Sequence, residues 1–424
     1  EAVTAHIAGY CASPDTIDER AGAGLSFGPG DGRNVALRVP AGVQSSLAGE
    51  ILAIILAARA TLPFAPLHIV SRSSYAIDSL TVHLPRWRDN GWIGVANATL
   101  LRCAAYHLQT RSAVTTFRWS PSNDGDAALP ADDDASALAR AGSTQDPPTD
   151  LDLSVPDRWN TTGARLTSLT QSLAYQGVRA TRKTTHRRAA DGNIARVQHC
   201  TTDHLGGGRP LPHSVWKGLR HKDTTRNISD FLWKTTHNAL KVGAYWQHIP
   251  DFEFRGLCGL CQQEESMEHI LAECASPECS RVWQLCRALW ERKAPSIPWP
   301  GERLGNILGA PLASFHTASG RPAPGASRLY RIMMTESAHL IWRLRCERVI
   351  DRCDDEFPLH THHEIDARWL AAMNARLTLD RELTKHKYGT RRLPRATVLR
   401  TWSGTLRDEH HLPDDWLNTG FLVG

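Results

Sequence analysis

Residues 45–60 read SSLAGEILAIILAARA, and this stretch decides the fold. Ser45 can accept a hydrogen bond from the free N–H groups that open a helix, and the residues after it are apolar on nearly every side. A helix with so little polar surface has to be covered, which sets it against a sheet. The flanks supply the strands. Residues 3–11 (VTAHIAGYC) and 34–39 (NVALRV) are short β-prone runs, and the Gly-rich 21–32 between them reads as a strand edge and turn. Downstream, 67–70 (LHIV) reads as a buried strand, 75–84 begins a second helix and 96–110 forms a third. Residues 115–119 (TTFRW) read as a strand and 135–141 as a short closing helix. Strands that feed helices and return to strands predict an α/β sheet domain with right-handed crossovers over residues 1–145.

Beyond this domain, residues 146–226 are expected to hold a Pro/Asp-rich linker and a basic connector, with much of 158–223 loosely ordered. From 227 the pattern turns helical, and Ser229 is the expected cap of a helix carrying Phe231, Leu232, Trp233 and Leu240. Residues 227–298 read as a helical module and 299–326 as a Pro/Gly-rich connection. Residues 327–424 read as a helical region, with helices over 327–350 and 364–383 and a turn-rich tail.

Composition excludes several classes. Hydrophobic residues make up 41% and charged residues 22%, and no apolar run approaches the roughly 20 residues a membrane span needs. No secretion signal opens the chain, so an intracellular location, nuclear or cytoplasmic and away from membranes, is expected. The first residue is Glu, which suggests a piece of a longer protein. Charge is laid out unevenly. Residues 1–150 hold 11 Arg and no Lys against 15 acidic residues, a balance of −4, whereas 155–250 hold 15 basic against 5 acidic, +10. Only the second stretch has the balance that phosphate binding requires, since that binding rests on clustered cations.

Ten cysteines in a chain this long are too sparse for a disulfide scaffold, and three of them crowd beside a histidine within 258–274. The spacing Cys258-x2-Cys261-x7-His269-x4-Cys274 is the sharpest signal in the sequence. Two thiolates two residues apart suit a tight knuckle on one ion, and His269 and Cys274 can complete a tetrahedron from one helix and its end. Soft donors favour Zn²⁺ over Mg²⁺ or Ca²⁺, and four protein ligands leave no open position, so the ion would be structural. The competing reading is four unrelated residues whose thiols pack as small hydrophobes. Cys279 and Cys286 are spare ligands if Cys274 is not one.

Taken together, several strings resemble a known family. CGLCQQEESMEHILAEC with the preceding FLWKTTHNALKVGAYWQHIP resembles the zinc-binding region at the end of non-LTR retrotransposon reverse transcriptases, in versions carried by fungal genomes. SSLAGEILAIILAAR, LHIVSRSSYAIDSL and TTFRWSPSNDGDAALPADDDASALARAG resemble a type-1 RNase H domain. The resemblance implies an RNase H-like mixed sheet with flanking helices, followed by a mainly α-helical zinc-binding region. It also implies a ribonuclease that cuts the RNA strand of RNA–DNA hybrids, with two Mg²⁺ ions held by four carboxylates. At those four places this sequence has Ala8, Glu50, Arg72 and Ser136, so Glu50 alone survives as a catalytic carboxylate, and the family's loop histidine is replaced by Asn123. One carboxylate cannot offset two dications. Arg72 adds a like charge whose repulsion at about 4 Å is roughly 4 kcal/mol at an effective dielectric near 20. Asp132, Asp133 and Asp134 lie close enough in sequence to restore the fourth position in part. For Glu50 the plain alternative is a helix-start carboxylate favoured by the helix dipole.

The expectation is therefore a nucleic-acid-binding, retrotransposon-derived RNase H-like protein without hybrid cleavage, carrying structural zinc and using Mg²⁺ only if the old site works. An active RNase H using substitute acids and a transposon relic with no specific partner are the competing outcomes. The basic run of Arg179, Arg182, Lys183, Arg187 and Arg188 is the expected contact for RNA, DNA or hybrid, with a solvated connector as the alternative. Trp233, Trp246, Trp283 and Trp290 read as core, and His360, His362 and His363 near Cys353 as a polar loop.

Overall fold

Strand β1 (Val3–Ala12) is the axis of the first sheet. It pairs antiparallel with β2 (Arg20–Ser26), which pairs antiparallel with β3 (Val35–Arg38). On its other side β1 runs parallel to β4 (Leu67–Ser71), and β4 parallel to β5 (Thr115–Trp119), giving the order β3-β2-β1-β4-β5. Parallel neighbours cannot be joined by a hairpin. Helix α1 (Ser46–Ala60) accordingly crosses from β3 to β4, and α2 (Ser74–Thr81), α3 (Leu84–Asp89) and α4 (Ala98–Gln109) lead from β4 to β5. Helices α5 (Pro130–Thr144) and α6 (Gln171–Thr181) follow. The computed structural model describes residues 2–42, 44–121, 130–160, 163–182, 187–352, 359–418 and 422–423, and the chain divides into two units, Glu1–Thr185 and His186–Gly424.

Helix α1 forms as its sequence dictates. The Ser45 hydroxyl accepts from the Ala48 N–H at 3.0 Å, and ten of the fifteen helical residues are buried, Ile51, Leu52, Ile54 and Ile55 completely. The Gly-rich stretch departs from its reading as an edge in its first half, because Arg20–Ser26 is a full strand inside the sheet, and the expected turn follows it over 27–32. Gly22 and Gly24 are there for close approach. A Cβ on Gly24 would lie 2.0 Å from the Ala135 carbonyl oxygen of α5, and one on Gly22 would lie 2.2 Å from that of Ala139. On the opposite face Gly9 performs the same service for α1, where a Cβ would sit 1.9 Å from the Ser46 oxygen. Both helices thus rest with their backbones against the sheet.

In the second unit, α7 (Arg188–His204), α8 (Pro212–Gly218), α9 (Arg226–Thr236), α10 (Pro277–Lys293), α11 (Leu304–Gly309), α12 (Pro324–Cys346), α13 (His362–Leu383) and α14 (Arg395–Trp402) surround one apolar core. Trp290, Phe315 and Tyr330 meet at its centre with ring centroids 5.0 to 5.4 Å apart. Two expectations are corrected. Residues 188–204, read as loosely ordered, form a helix whose Ile194 and Val197 enter the core. Its buried face escapes a hydropathy reading because Asn193 and Gln198 lie on it, satisfied by the carbonyls of Thr236 (3.1 Å) and Pro210 (2.8 Å). Ser229 lies inside α9 rather than capping it, and Thr225 stands at the N-cap. Residues 304–309 are a fully buried helix, and the tail returns Trp416 and Val423 to the core. Among the described residues no helix is long and apolar enough to cross a membrane.

Candidate active site and candidate metal centre

Alternation along β1 turns His6 and Ala8 to the face covered by α5 and Gly9 to the face covered by α1. Ala8 packs in a small buried cluster with Ala135 and Ala139 of α5. Glu50 projects from α1 to the end of β4, where Ser71 Oγ donates to its Oε2 at 3.0 Å. Burial pushes the Glu50 carboxyl up to about 7, against the hydrogen bonds of Ser71 and Ser73 that favour the anion. Arg72 follows β4 directly, and its guanidinium reaches Ser136 Oγ at 3.3 Å and Asp133 at 3.2 Å. Three positions at which the resemblance expects a metal carboxylate thus carry a methyl, a guanidinium and a hydroxyl.

Two of the three substitute acids are already engaged. Asp132, 6% exposed, takes His6 Nδ1 on Oδ1 at 2.6 Å and the Ser120 hydroxyl on Oδ2 at 3.1 Å, while Asp133 pairs with Arg72. His6 escaped the sequence reading because its partner lies 126 residues away. Asn123 lies outside the described residues. Among those described, groups of three or more His, Cys, Asp or Glu with converging ligand atoms occur at two places, and neither includes Glu50 or Asp132. These residues do not fit a pair of Mg²⁺ ions.

The second site is built differently. Gln262 adopts the left-handed conformation (φ 57°), and the Cys258 N–H donates to Gln263 O at 2.8 Å, closing a knuckle that presents Cys258 and Cys261 together. The chain then enters a short π-helical turn, His269–Glu273, tied at its start by the His269 N–H to Ser266 Oγ and at its end by the Cys274 N–H to His269 O at 2.7 Å. This wider turn brings Cys274 back beside His269. Cys258 Sγ and Cys274 Sγ lie 3.8 Å apart, Cys261 Sγ and His269 Nε2 lie 3.3 Å apart, and all four donors fall within 4.8 Å of one another. A tetrahedral ion with metal–sulfur bonds near 2.3 Å requires sulfurs roughly 3.8 Å apart, so the donor set fits Zn²⁺. Burial works against the Cys258 thiolate, but the backbone N–H groups of Cys261 and Leu260 and the His269 ring hold that thiol below its usual range. Burial and the neighbouring Cys258 push Cys274 up. Cys279 and Cys286 stand outside the cluster; both are buried in the core, and burial pushes each thiol up to about 12.

The expected basic contacts are split between the units. Arg179 and Arg182 are exposed in the first, Arg187 and Arg188 are exposed in the second, and Lys183 lies outside the described residues. Trp283 and Trp290 are core as expected, whereas Trp233 is 40% exposed. His360, expected in a polar loop, is buried beside Glu278 (3.1 Å) and Glu347 (3.7 Å), and Cys353 lies outside the described residues. The second converging group, Glu347, His360 and Glu364, is no metal cage. Arg352 and Arg368 each pair with both glutamates, and Arg348 neutralises Glu278.

No protein-family model matches the chain. A ribonuclease H of Schizosaccharomyces pombe is 41% identical over 70 residues, which are 16% of this chain and 26% of that enzyme, so the match spans about a quarter of the relative. Among solved structures, the PFV RNase H domain is 19% identical, with 33% of this chain and 93% of that one covered and a TM-score of 0.28. A type 1 RNase H with the type 2 active-site motif is 22% identical, with 34% and 72% covered and a TM-score of 0.26. The mixed order β3-β2-β1-β4-β5 with its flanking helices makes the first unit an RNase H-like domain in fold, and a mainly helical region follows it.

Proposed function

We propose that this chain is a retrotransposon-derived, nucleic-acid-binding protein in which the RNase H-like domain serves as a scaffold without hybrid cleavage and a zinc ion stabilises the helical region. The observation that carries this reading is the Arg72 guanidinium, held by Asp133 and Ser136 where a metal carboxylate would stand. A fixed cation there opposes metal binding, and Glu50 and Asp132 supply too little charge, already committed to Ser71 and His6. Retrotransposon descent, in a fungal version, rests on the resemblance of residues 258–274 and their flanks. Nucleic acid as partner rests on the RNase H-like domain and on the +10 balance of residues 155–250. The zinc assignment rests on the 3.8 Å and 3.3 Å donor separations. Incubating the purified chain with an RNA–DNA hybrid and Mg²⁺ or Mn²⁺ tests the reading. Intact RNA strand is expected, and cleavage that disappears in Glu50→Ala would overturn it.

A further inference from the structure

The strongest concentration of positive charge in the second unit lies apart from the basic run. Residues 381–400 hold seven Lys and Arg (Arg381, Lys385, Lys387, Arg391, Arg392, Arg395 and Arg400) and one acid, Glu382. Four of the seven, Arg381, Lys385, Arg392 and Arg395, line a concavity of about 670 Å³ at the end of α13, the turn after it and the start of α14, together with Glu382 and His386.

In two networks of this unit arginines and carboxylates balance. Arg328 and Arg331 sit on Asp223 and Asp380, two against two, and Arg348, Arg352 and Arg368 sit on Glu278, Glu347 and Glu364, three against three. The concavity breaks that rule. Glu382 serves both Lys385 and Lys387, and Asp415 serves Arg395. Among the described residues Arg392 has no carboxylate partner and reaches the Thr384 carbonyl at 2.8 Å and His386 Nδ1 at 3.1 Å. Excess cations held in a concave wall create a potential that an anion relieves. Among the described residues no Trp, Tyr or Phe lines the wall and its one aromatic ring, His386, is taken up by Arg392, so the complementary ligand is a run of phosphates rather than a base.

We infer that this concavity grips the phosphate backbone of a nucleic-acid strand, a contact independent of sequence and separate from residues 179–188. The inference rests on the nucleic-acid reading above. Fluorescence anisotropy of the full chain with a short labelled RNA, between about 50 and 200 mM salt, tests it. Lys385→Gln with Arg392→Gln is expected to weaken binding about tenfold near 0.1 M salt and to flatten the log–log salt slope by roughly 1 to 2. Glu382→Gln, which removes the acid, is expected to tighten binding, a change that misfolding does not produce. If wild-type protein binds RNA and these variants bind identically while an Arg179/Arg182/Arg187/Arg188 variant loses affinity, the concavity is refuted and the proposed function stands. If wild-type protein binds no nucleic acid, both fail together. If inorganic pyrophosphate binds in the same salt range and RNA does not displace it, the occupant is a small anion and the strand assignment falls.

Discussion

Among the described residues Glu50 is a carboxyl without a partner of opposite charge, in a place that water barely reaches. Its hydrogen bonds from Ser71 and Ser73 do not repay the burial, and its folded-state value stands near 7, above the ordinary 4.5. For an acid whose value rises on folding, the native state holds the proton longer than the unfolded chain does. Stability is therefore full below about 4.5 and falls as pH rises through about 7, by roughly 3 kcal/mol in all. Glu50→Gln removes the charge while keeping the shape, so urea unfolding of the first unit should show the variant more stable than wild type at pH 8 and equal to it at pH 4. Equal pH dependence in the two proteins would mean that Glu50 ionises freely, as a metal ligand must. That Ala8, Arg72 and Ser136 carry no carboxylate was legible in the sequence. What those residues do instead was not, because the contacts of Arg72 with Asp133 and of His6 with Asp132 join positions 61 and 126 residues apart.

At the scale of elements, close approach governs the sheet. Gly24 leaves α5 no space for a methyl group, so Gly24→Ala must lift the helix or bend β2. Overpacking of this kind typically costs 1 to 3 kcal/mol, and roughly 3 kcal/mol is expected here because the obstacle is backbone. Thermal unfolding checks it, and a variant within about 0.5 kcal/mol of wild type would show that α5 sits further off. Helix α1 and the strands around it could be read from apolar runs and a Ser cap. Strand β2 could not, since glycines read as turn until a helix is found lying on them. Helix α7 was hidden for the opposite reason, because its buried Asn193 and Gln198 look exposed until their carbonyl partners are known. The π-helical turn at His269 was equally invisible, although the four donors that converge there were picked out by spacing alone.

Across the whole molecule the two units handle charge in opposite ways. The first carries a methyl, a hydroxyl and a guanidinium at three of the places where the resemblance expects acids, and it ties Asp132 and Asp133 to His6, Ser120 and Arg72. The second collects three thiols and an imidazole at one point and gathers unbalanced cations at another. Metal content measured on one sample addresses both units at once. The full chain, equilibrated against millimolar Mn²⁺ and then analysed for zinc and for bound manganese, should carry one zinc per chain, lost in Cys258→Ser, and no manganese that depends on Glu50. Stoichiometric manganese that vanishes in Glu50→Gln, or folded protein free of zinc, would contradict this account.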